Sequence, residues 1–379
     1  MTMAADKQDK VLNVPTLRFP EYSDKWLECE LQDIADLSKG AGISKDQLSE
    51  TGESCILYGE LYTKYKSEVI SNVVSKTNIE STNLVRSKAN DVIIPSSGET
   101  AIDISTARCV PYDNILLGGD LNIIRLKDQD GRFFSYQLNG VRKLDIAQIA
   151  QGVSVVHLYG ESLKRLKVRY PSKSEQEKIS SLLSVLDERI ETQSRIIEKL
   201  KSLMKGLAEN FTAFTPNTKI ADCLNCHSSV LLENQVKSEG NYKVYGANGI
   251  CGYSDSPAIL EDAILIVKDG SGVGNVSYAS GEYSVIGTSN YLTAKSGYSL
   301  KYLYYCLMIF NFVPYRTGMA IPHIYFKDYG KALIYCPSLD KQVQIATLLS
   351  MIECKIEAEK AITDSYQQQK RFLLQTMFI

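Results

Sequence analysis

Displaced by 166 residues, this chain of 379 residues matches itself. Gly152 meets Gly318, His157 meets His323, Tyr159 meets Tyr325, Pro171 meets Pro337, Ser172 meets Ser338 and Gln176 meets Gln342. The match runs on through Ile179/Ile345, Leu182/Leu348, Leu183/Leu349, Ser184/Ser350, Ile190/Ile356 and Glu191/Glu357. These are 12 identities in the 40 ungapped positions from 152 to 191, where chance at average composition gives roughly 2 to 3. Such a chain must fold as two like halves. Upstream the likeness loosens: Asp91-Val-Ile-Ile-Pro-Ser-Ser-Gly98 parallels Asp262-Ala-Ile-Leu-Ile-Val-Lys-Asp-Gly270 with one residue inserted, and Gly119-x-x-Asn122 parallels Gly287-x-x-Asn290. The order is variable lobe, shared segment, variable lobe, shared segment.

The shared segments read as long helices. Ile179, Leu183, Leu186, Ile190, Gln193, Ile197, Leu200, Met204, Leu207 and Phe211 are spaced alternately four and three apart, the a/d seam of a heptad repeat. Pro171 and Ser174-x-x-Glu177, a capping-box pattern, mark the start. At the same offset the second copy sets Ile345, Leu349, Ile352, Ile356, Glu359, Thr363, Tyr366, Lys370, Leu373 and Met377 on the equivalent seam. Each stripe needs a cover, and the other helix is one, with Gln193 and Glu359 as a polar layer that would fix register. Leu182, Ile196, Leu203, Leu348, Met351, Ile362 and Leu374 widen the stripe beyond two partners. With Leu186 and Ile352 of the seam they are the candidate partner-binding residues. They dock another protein or pack against the chain's own lobes.

The lobes read as α+β. Strands are expected at 91 to 95, 122 to 126, 263 to 268, 276 to 278 and 290 to 295, which are short apolar or alternating runs bounded by Gly, Asn, Asp and Ser. Helical pieces are expected at 27 to 37, 135 to 150 and 299 to 311. The boundaries that follow are a tail, 1–14; a lobe, 15–170; a helix, 171–214; a second lobe, 215–336; and a second helix, 337–379.

Little chemistry is visible. Asp269-Gly-Ser-Gly-Val-Gly274 follows a strand but lacks the G-x-G-x-x-G spacing, and strand-like residues rather than a helix come after it. No phosphate loop, nucleophile elbow or H-E-x-x-H is present, nor an Asn/Asp-Pro-Pro-Tyr/Phe tetrad of the kind associated with amino-methyltransferases. Cys223-Leu-Asn-Cys226-His227 has the form of a haem attachment site. The polar opening MTMAADKQDK shows no export signal, and a zinc site would need a second Cys or His pair, so those thiols are read as unremarkable. We expect no catalytic site, no metal and no cofactor of its own. Nine scattered cysteines, and no apolar run approaching membrane-spanning length, point to a cytoplasmic chain.

Nor is the chain basic, with 42 Lys+Arg against 44 Asp+Glu. Residues 15 to 170 carry 19 against 21, and residues 212 to 336 carry 9 against 9. Non-specific affinity for DNA comes from phosphate neutralisation, so the lobes alone are poor DNA binders, while base readout remains open to them if a partner supplies the phosphate grip. Loop character nominates Ser96, Ser97, Gly98, Thr100 and Arg108 in the first lobe, and Lys268, Ser271, Gly272 and Asn275 in the second. The repeated Gly-x-x-x-x-His-x-Tyr adds Tyr159 and Tyr325, flanked by Arg316 and Lys327. A tight strand turn is the alternative for both loops, and for His157 and His323 a core corner where lobe meets helix is favoured.

In its layout the chain resembles, over essentially its whole length, the specificity subunits of type I restriction-modification systems. The residues that carry the resemblance are Pro15-x-Leu-Arg-Phe19-Pro with Trp26, the repeated Pro-Ser-x-x-x-Gln at 171 to 176 and 337 to 342, Gly318-Met-Ala-Ile-Pro-His-Ile-Tyr325-Phe-Lys-Asp328, and the helix ends Lys205-Gly-Leu207 and Lys370-Arg-Phe-Leu-Leu-Gln375. The resemblance implies two target-recognition lobes separated by two long antiparallel coiled-coil helices. Each lobe would read one half of a bipartite, asymmetric sequence in double-stranded DNA. The helices would set the spacing and dock two modification subunits, which bring S-adenosylmethionine, while restriction subunits bring ATP and Mg. The competing reading is a two-lobe coiled-coil scaffold without a DNA role.

Overall fold

The computed structural model describes residues 13–80 and 83–379. The chain divides into two compact units: one holds the residues up to Gln193 together with Ile362–Ile379, the other Ser194–Ala361. Of the expected tail 1–14, only Asn13 and Val14 lie within the described residues, and Asn13 belongs to the folded lobe. The Trp26 amide donates to Asn13 O (3.0 Å) and Asn13 Nδ2 to Trp26 O (2.7 Å).

In the first unit β1 (Ala35–Lys39), β2 (Asp91–Pro95), β3 (Arg108–Val110) and β4 (Leu121–Leu126) form an antiparallel sheet of order β1-β4-β2-β3. β2 is buried throughout because it is covered on both faces. Val92, Ile94 and Ile124 pack with Trp26 and with Phe133 and Phe134 of α1 (Gly131–Asn139), while Ile93, Leu121 and Ile123 pack with Ile56 and Leu61 on the other side. Two-sided burial explains the continuous apolar run. The long helix α2 (Lys173–Thr212) follows.

The second unit repeats the plan. Its sheet, β5 (Leu224–Ser228), β6 (Ala263–Val267), β7 (Val276–Ala279) and β8 (Ser289–Ala294), has the order β5-β8-β6-β7. The lobe helix is α3 (Leu300–Ile309), and the second long helix is α4 (Leu339–Thr376). Register settles how the lobes align. Asn122 faces Ile94 as Asn290 faces Ile266, so β2 and β6 superpose without the inserted residue that the sequence comparison introduced, and Ala263 rather than Asp262 is the equivalent of Asp91.

The strands and the helix at 299 to 311 fall where expected, but two helical readings are corrected. Residues 27 to 37 are not one helix: Leu27–Glu30 is a strand paired with Lys167–Tyr170, a single helical turn follows at Leu31–Ile34, and β1 begins at Ala35. Non-local pairing overrides the local helical pattern. The stretch 135 to 150 is two helices, α1 and Lys143–Ile149, separated at Gly140.

At the foot of each long helix the repeated glutamine joins helix to lobe. Gln176 Nε2 donates to Pro171 O (2.9 Å), and its Oε1 accepts from the amide of Asp130, the N-cap of α1 (3.1 Å). Gln342 Nε2 donates to Pro337 O (2.8 Å), and its Oε1 accepts from the amide of Ser299, the N-cap of α3 (2.9 Å). Two turns on, Tyr136 of α1 donates to Asp187 Oδ2 (2.7 Å) and contacts Ser184 Oγ (3.3 Å). In the second unit Tyr305 of α3 donates to Glu353 Oε2 (2.9 Å) and contacts Ser350 Oγ (3.1 Å). The opening motif serves the first unit alone, where Arg18 grips the buried Glu175 with two 2.7 Å hydrogen bonds.

The seams are buried or half-buried, as the heptad pattern requires. Ile179, Leu183 and Leu186 enter the first lobe's core with Leu373, Met377 and Phe378, whereas Met204, Leu207 and Phe211 pack on the second lobe's core with Ile345 and Leu349. In the first unit the start of α2 lies beside the end of α4, the antiparallel order. Arg189 sits over the Tyr366 ring (5.6 Å) rather than over its duplicate position Lys355. Within the second unit Glu359 is ion-paired with Lys355, one turn earlier in α4.

Lys370 closes the first unit, bridging Glu68 of the lobe and Asp187 of α2 (2.5 Å to the latter), with all three side chains largely buried. Burial opposes the Lys370 charge, but the two carboxylates outweigh it and hold its pKa above the ordinary value. Burial pushes Asp187 up despite the ammonium beside it. With a raised folded pKa, Lys370 contributes stability that is complete below its unfolded pKa of about 10.4 and is lost as pH rises through the folded value. For Asp187 the native state holds more protons above about pH 4, so its ionisation costs stability as pH rises through that window. Lys370→Met is expected to cost about 3 to 5 kcal/mol near neutrality by stranding both carboxylates. Urea denaturation at pH 8 and pH 5 should show the deficit shrinking at the lower pH.

Candidate nucleic-acid interface

In each lobe the end of the buried central strand runs into a loop, which the Gly-x-x-x-x-His hairpin then ties down. The Ser96 amide donates to Asp120 O (2.7 Å), and Ser96 O accepts from the Leu158 amide (2.9 Å). The Lys268 amide donates to Thr288 O (2.9 Å), and Lys268 O accepts from the Ile324 amide (2.9 Å). The two lobes thus hold the same three segments together by the same backbone bonds, with different side chains on them.

In the second lobe the nominated residues come together. Ser271, Asn275, Arg316, Tyr325 and Lys327 are exposed, and Lys268 and Gly272 are half-buried. Arg316 is anchored on Val273 O (2.9 Å), and the Lys327 ammonium lies 5.3 Å from the Tyr325 ring centre. Asp269 and His323 complete the group, His323 Nδ1 donating to Asp269 Oδ1 (2.7 Å). In the first lobe Thr100 and Tyr159 are exposed and Gly98 is half-buried. Thr100 N-caps the turn Ala101–Ile104.

Three first-lobe nominations are corrected. The side chains of Ser96 and Ser97 are buried, so only their backbone reaches the loop. Arg108 is buried too, its guanidinium donating to the carbonyls of Leu61 (3.1 Å), Tyr65 (2.8 Å) and Ala107 (3.3 Å), and burial lowers its pKa. It holds the lobe together rather than facing a ligand. The core-corner reading of His157 and His323 also fails. His157 is exposed and His323 partly so, each near-parallel to its tyrosine neighbour, at 6.1 Å from Tyr159 and 6.4 Å from Tyr325.

Each lobe also carries a cleft that the sequence did not disclose, the second lined in part by the loop itself. Both clefts are at the end of a parallel strand pair and beside a short 3-10 turn capped by a glutamine, Gln47 Oε1 accepting from the Ser44 amide in one lobe (2.9 Å) and Gln235 Oε1 from the Leu232 amide in the other (2.9 Å). Their linings differ. The first, of about 290 Å³, is formed by Ile43, Leu48, Leu57 and Tyr58 with Lys45 and Lys64. The second, of about 270 Å³, is formed by Glu233, Asn248, Asp269, Ser271 and Thr288 with four glycines, Gly246, Gly249, Gly270 and Gly272. One is largely apolar, with Lys45 and the Lys64–Glu60 ion pair in its lining, and the other is rich in acceptors. Cys223, Cys226 and His227 take part in neither: Cys223 Sγ lies 3.8 Å from Cys336 Sγ in the core, and His227 Nε2 is 3.1 Å from Thr293 Oγ1.

The candidate partner residues divide as well. Leu182, Leu203, Leu348, Met351 and Ile362 are exposed. Leu186 is buried in the first lobe's core and Leu374 packs against it, so these two serve the lobe, while Ile196 and Ile352 are half-buried. Val185, outside the nominated set, is exposed and duplicates Met351. The exposed apolar pairs are therefore Leu182 with Val185 in one unit and Leu348 with Met351 in the other. Among the described residues no helix is long and apolar enough to cross a membrane.

Comparison with known proteins agrees with this duplicated architecture. A type I specificity subunit from Mycoplasma genitalium is 28% identical over 178 residues, 42% of this chain and 46% of that protein. The specificity subunit of the type I restriction enzyme EcoprrI from Escherichia coli is 23% identical over 112 residues, 30% of this chain and 28% of that protein. The aligned stretch thus spans less than half of each relative. The fold matches the crystal structure of a type I restriction-modification S subunit from M. genitalium with a TM-score of 0.68 at 19% identity, covering 97% of this chain and 99% of that one. It also matches a chain from a type I system solved in a study of complex assembly and conformational transition, with a TM-score of 0.52 at 14% identity, covering 92% and 96%. Residues 23–202 and 219–366 both match the type I restriction modification DNA specificity domain, and the chain belongs to that family.

Proposed function

We propose that the chain is the DNA-recognition subunit of a type I restriction-modification complex. Residues 15–170 and 215–336 act as target recognition domains, each reading one half of a bipartite target, and the helical segments 171–214 and 337–379 set the spacing and dock two modification subunits in the cytoplasm. The observation that carries this reading is a duplicated frame holding unduplicated clefts. Identical glutamine clamps and loop ties present one apolar and one acceptor-rich surface, as reading two unlike half-sites demands. Acceptors suit the amino donors of cytosine and adenine, and apolar walls suit the thymine methyl group. Near-neutral lobes leave the phosphate grip to partners. The chain itself is non-catalytic. Modification subunits supply the methyl transfer from S-adenosylmethionine, and restriction subunits, where the system has them, use ATP and Mg.

Mapping methylated bases across the genome with and without this gene, in cells expressing its methyltransferase partner, should reveal an asymmetric bipartite motif that disappears on deletion. An unchanged methylome with an active partner would favour the scaffold reading.

Two like patches suit two copies of one partner. Leu182→Asp with Val185→Asp, or Leu348→Asp with Met351→Asp, should each remove one modification subunit from the complex by mass measurement while the lone chain keeps its melting temperature. Leu186→Asp should instead unfold the first lobe.

On the assembled complex, Arg316→Ala should weaken binding to target and non-target duplexes alike and reduce the salt slope by about 1. Arg108→Ala should leave that slope unchanged and cost about 1 to 3 kcal/mol of stability.

A further inference from the structure

Each lobe carries a projecting hairpin whose tip is apolar. In the first, Gln151 and His157 close the loop with reciprocal backbone bonds of 2.9 and 2.7 Å; in the second, Thr317 and His323 do so at 2.8 and 2.7 Å. The tip residues stand in solvent, Val153 at 97% and Met319 at 106% relative exposure, followed two residues on by Val155 at 52% and Ile321 at 59%. The projection is enforced by the backbone. Gly152 (φ +127°) and Gly318 (φ +87°) hold the left-handed conformation, and a Cβ on either would sit 2.1 Å from Val155 O or 2.3 Å from Ile321 O. A single exposed apolar side chain means little, but the same pair displaced by the 166-residue repeat, on a loop locked by glycine, is a built feature.

We propose that these tips, Val153 with Val155 and Met319 with Ile321, are apolar wedges, each of which enters a base-pair step in the half-site read by its own lobe. The inference rests on the DNA-recognition reading above. A tip of two or three side chains is narrow enough for a groove of about 6 Å and far too small for a protein interface of about 800 Å² per partner. Aliphatic side chains of this kind are those that unstack base steps. Each tip is joined by backbone to the loop of the candidate interface, through Leu158 to Ser96 and through Ile324 to Lys268. In the second lobe Arg316 and Lys327 flank it with the charge that phosphates require. A tip present in both lobes must act on what both half-sites share. That is the stacked duplex, since the clefts that differ already account for the bases that differ.

The test uses the complex with its modification subunits and duplexes bearing the motif returned by methylome mapping, with 2-aminopurine at successive positions through each half-site. With the wild-type complex we expect a fluorescence rise, the sign of unstacking, at one step in each half-site. Val153→Ser with Val155→Ser should abolish one rise, and Met319→Ser with Ile321→Ser the other, each weakening target binding about tenfold with subunit composition unchanged. Target affinity and fluorescence equal to wild type in both variants would overturn the wedge while leaving the recognition reading intact. Loss of a modification subunit from a folded variant would also overturn it, by making the tip a protein contact. A wild-type complex that shows no preference for the motif over random duplex would overturn the recognition reading itself.

Discussion

A buried amide at the foot of each long helix governs the geometry of its lobe. Gln176 and Gln342 each use both ends of the side chain, the NH2 on a proline carbonyl of the incoming chain and the oxygen on the first amide of a lobe helix. That amide is one of the four that a helix leaves unpaired at its N-terminus. The contact therefore satisfies an obligatory donor and sets lobe against helix with one side chain. Glutamate would present no donor to the proline carbonyl, and leucine would leave both the proline carbonyl and the N-cap amide without this partner. The Tyr–Ser–carboxylate contact further along gives a second fixed point, so the lobe helix can neither slide nor roll on the long one. What is duplicated in this chain is, residue for residue, the machinery of attachment.

That division explains how much could be read in advance. The attachment machinery was legible because it is periodic or repeated: the heptad seams, the Pro-Ser-x-x-x-Gln element and the apolar central strands all fell where their patterns put them. Errors arose where the deciding partner is remote. Arg108 looks like a loop cation until the carbonyls of Leu61 and Tyr65, 47 and 43 residues earlier, close on its guanidinium. Leu27–Glu30 has helical spacing, yet it pairs with a strand at 167 to 170. Leu186 was assigned to a partner because a heptad pattern shows that a position is covered, not by what. Here the chain's own lobe covers it.

The clefts were illegible for a different reason. Their linings come from three or four short segments that have no periodicity and little sequence identity between the lobes, and their equivalence emerges from strand register and the paired glutamine-capped turns. Variable residues on a constant frame leave no motif to find. The exposed hairpin tips were overlooked in the opposite way: their positions repeat but their residues do not, Val-Ser-Val against Met-Ala-Ile, so a count of identities passes over a conserved physical property.

The charge balance then constrains how such a protein can work. With 19 cations against 21 anions in one lobe and 9 against 9 in the other, little counterion-release affinity is available to hold DNA before it is read. Selectivity that does not rest on strong non-specific binding has an advantage, because random sequence does not sequester the subunit. On the proposed reading, the cost is dependence on an electropositive partner, bound before reading begins. On that reading the exposed apolar pairs on the long helices and the near-neutral lobes are two sides of one arrangement, in which assembly supplies affinity while the choice of sequence stays with this chain.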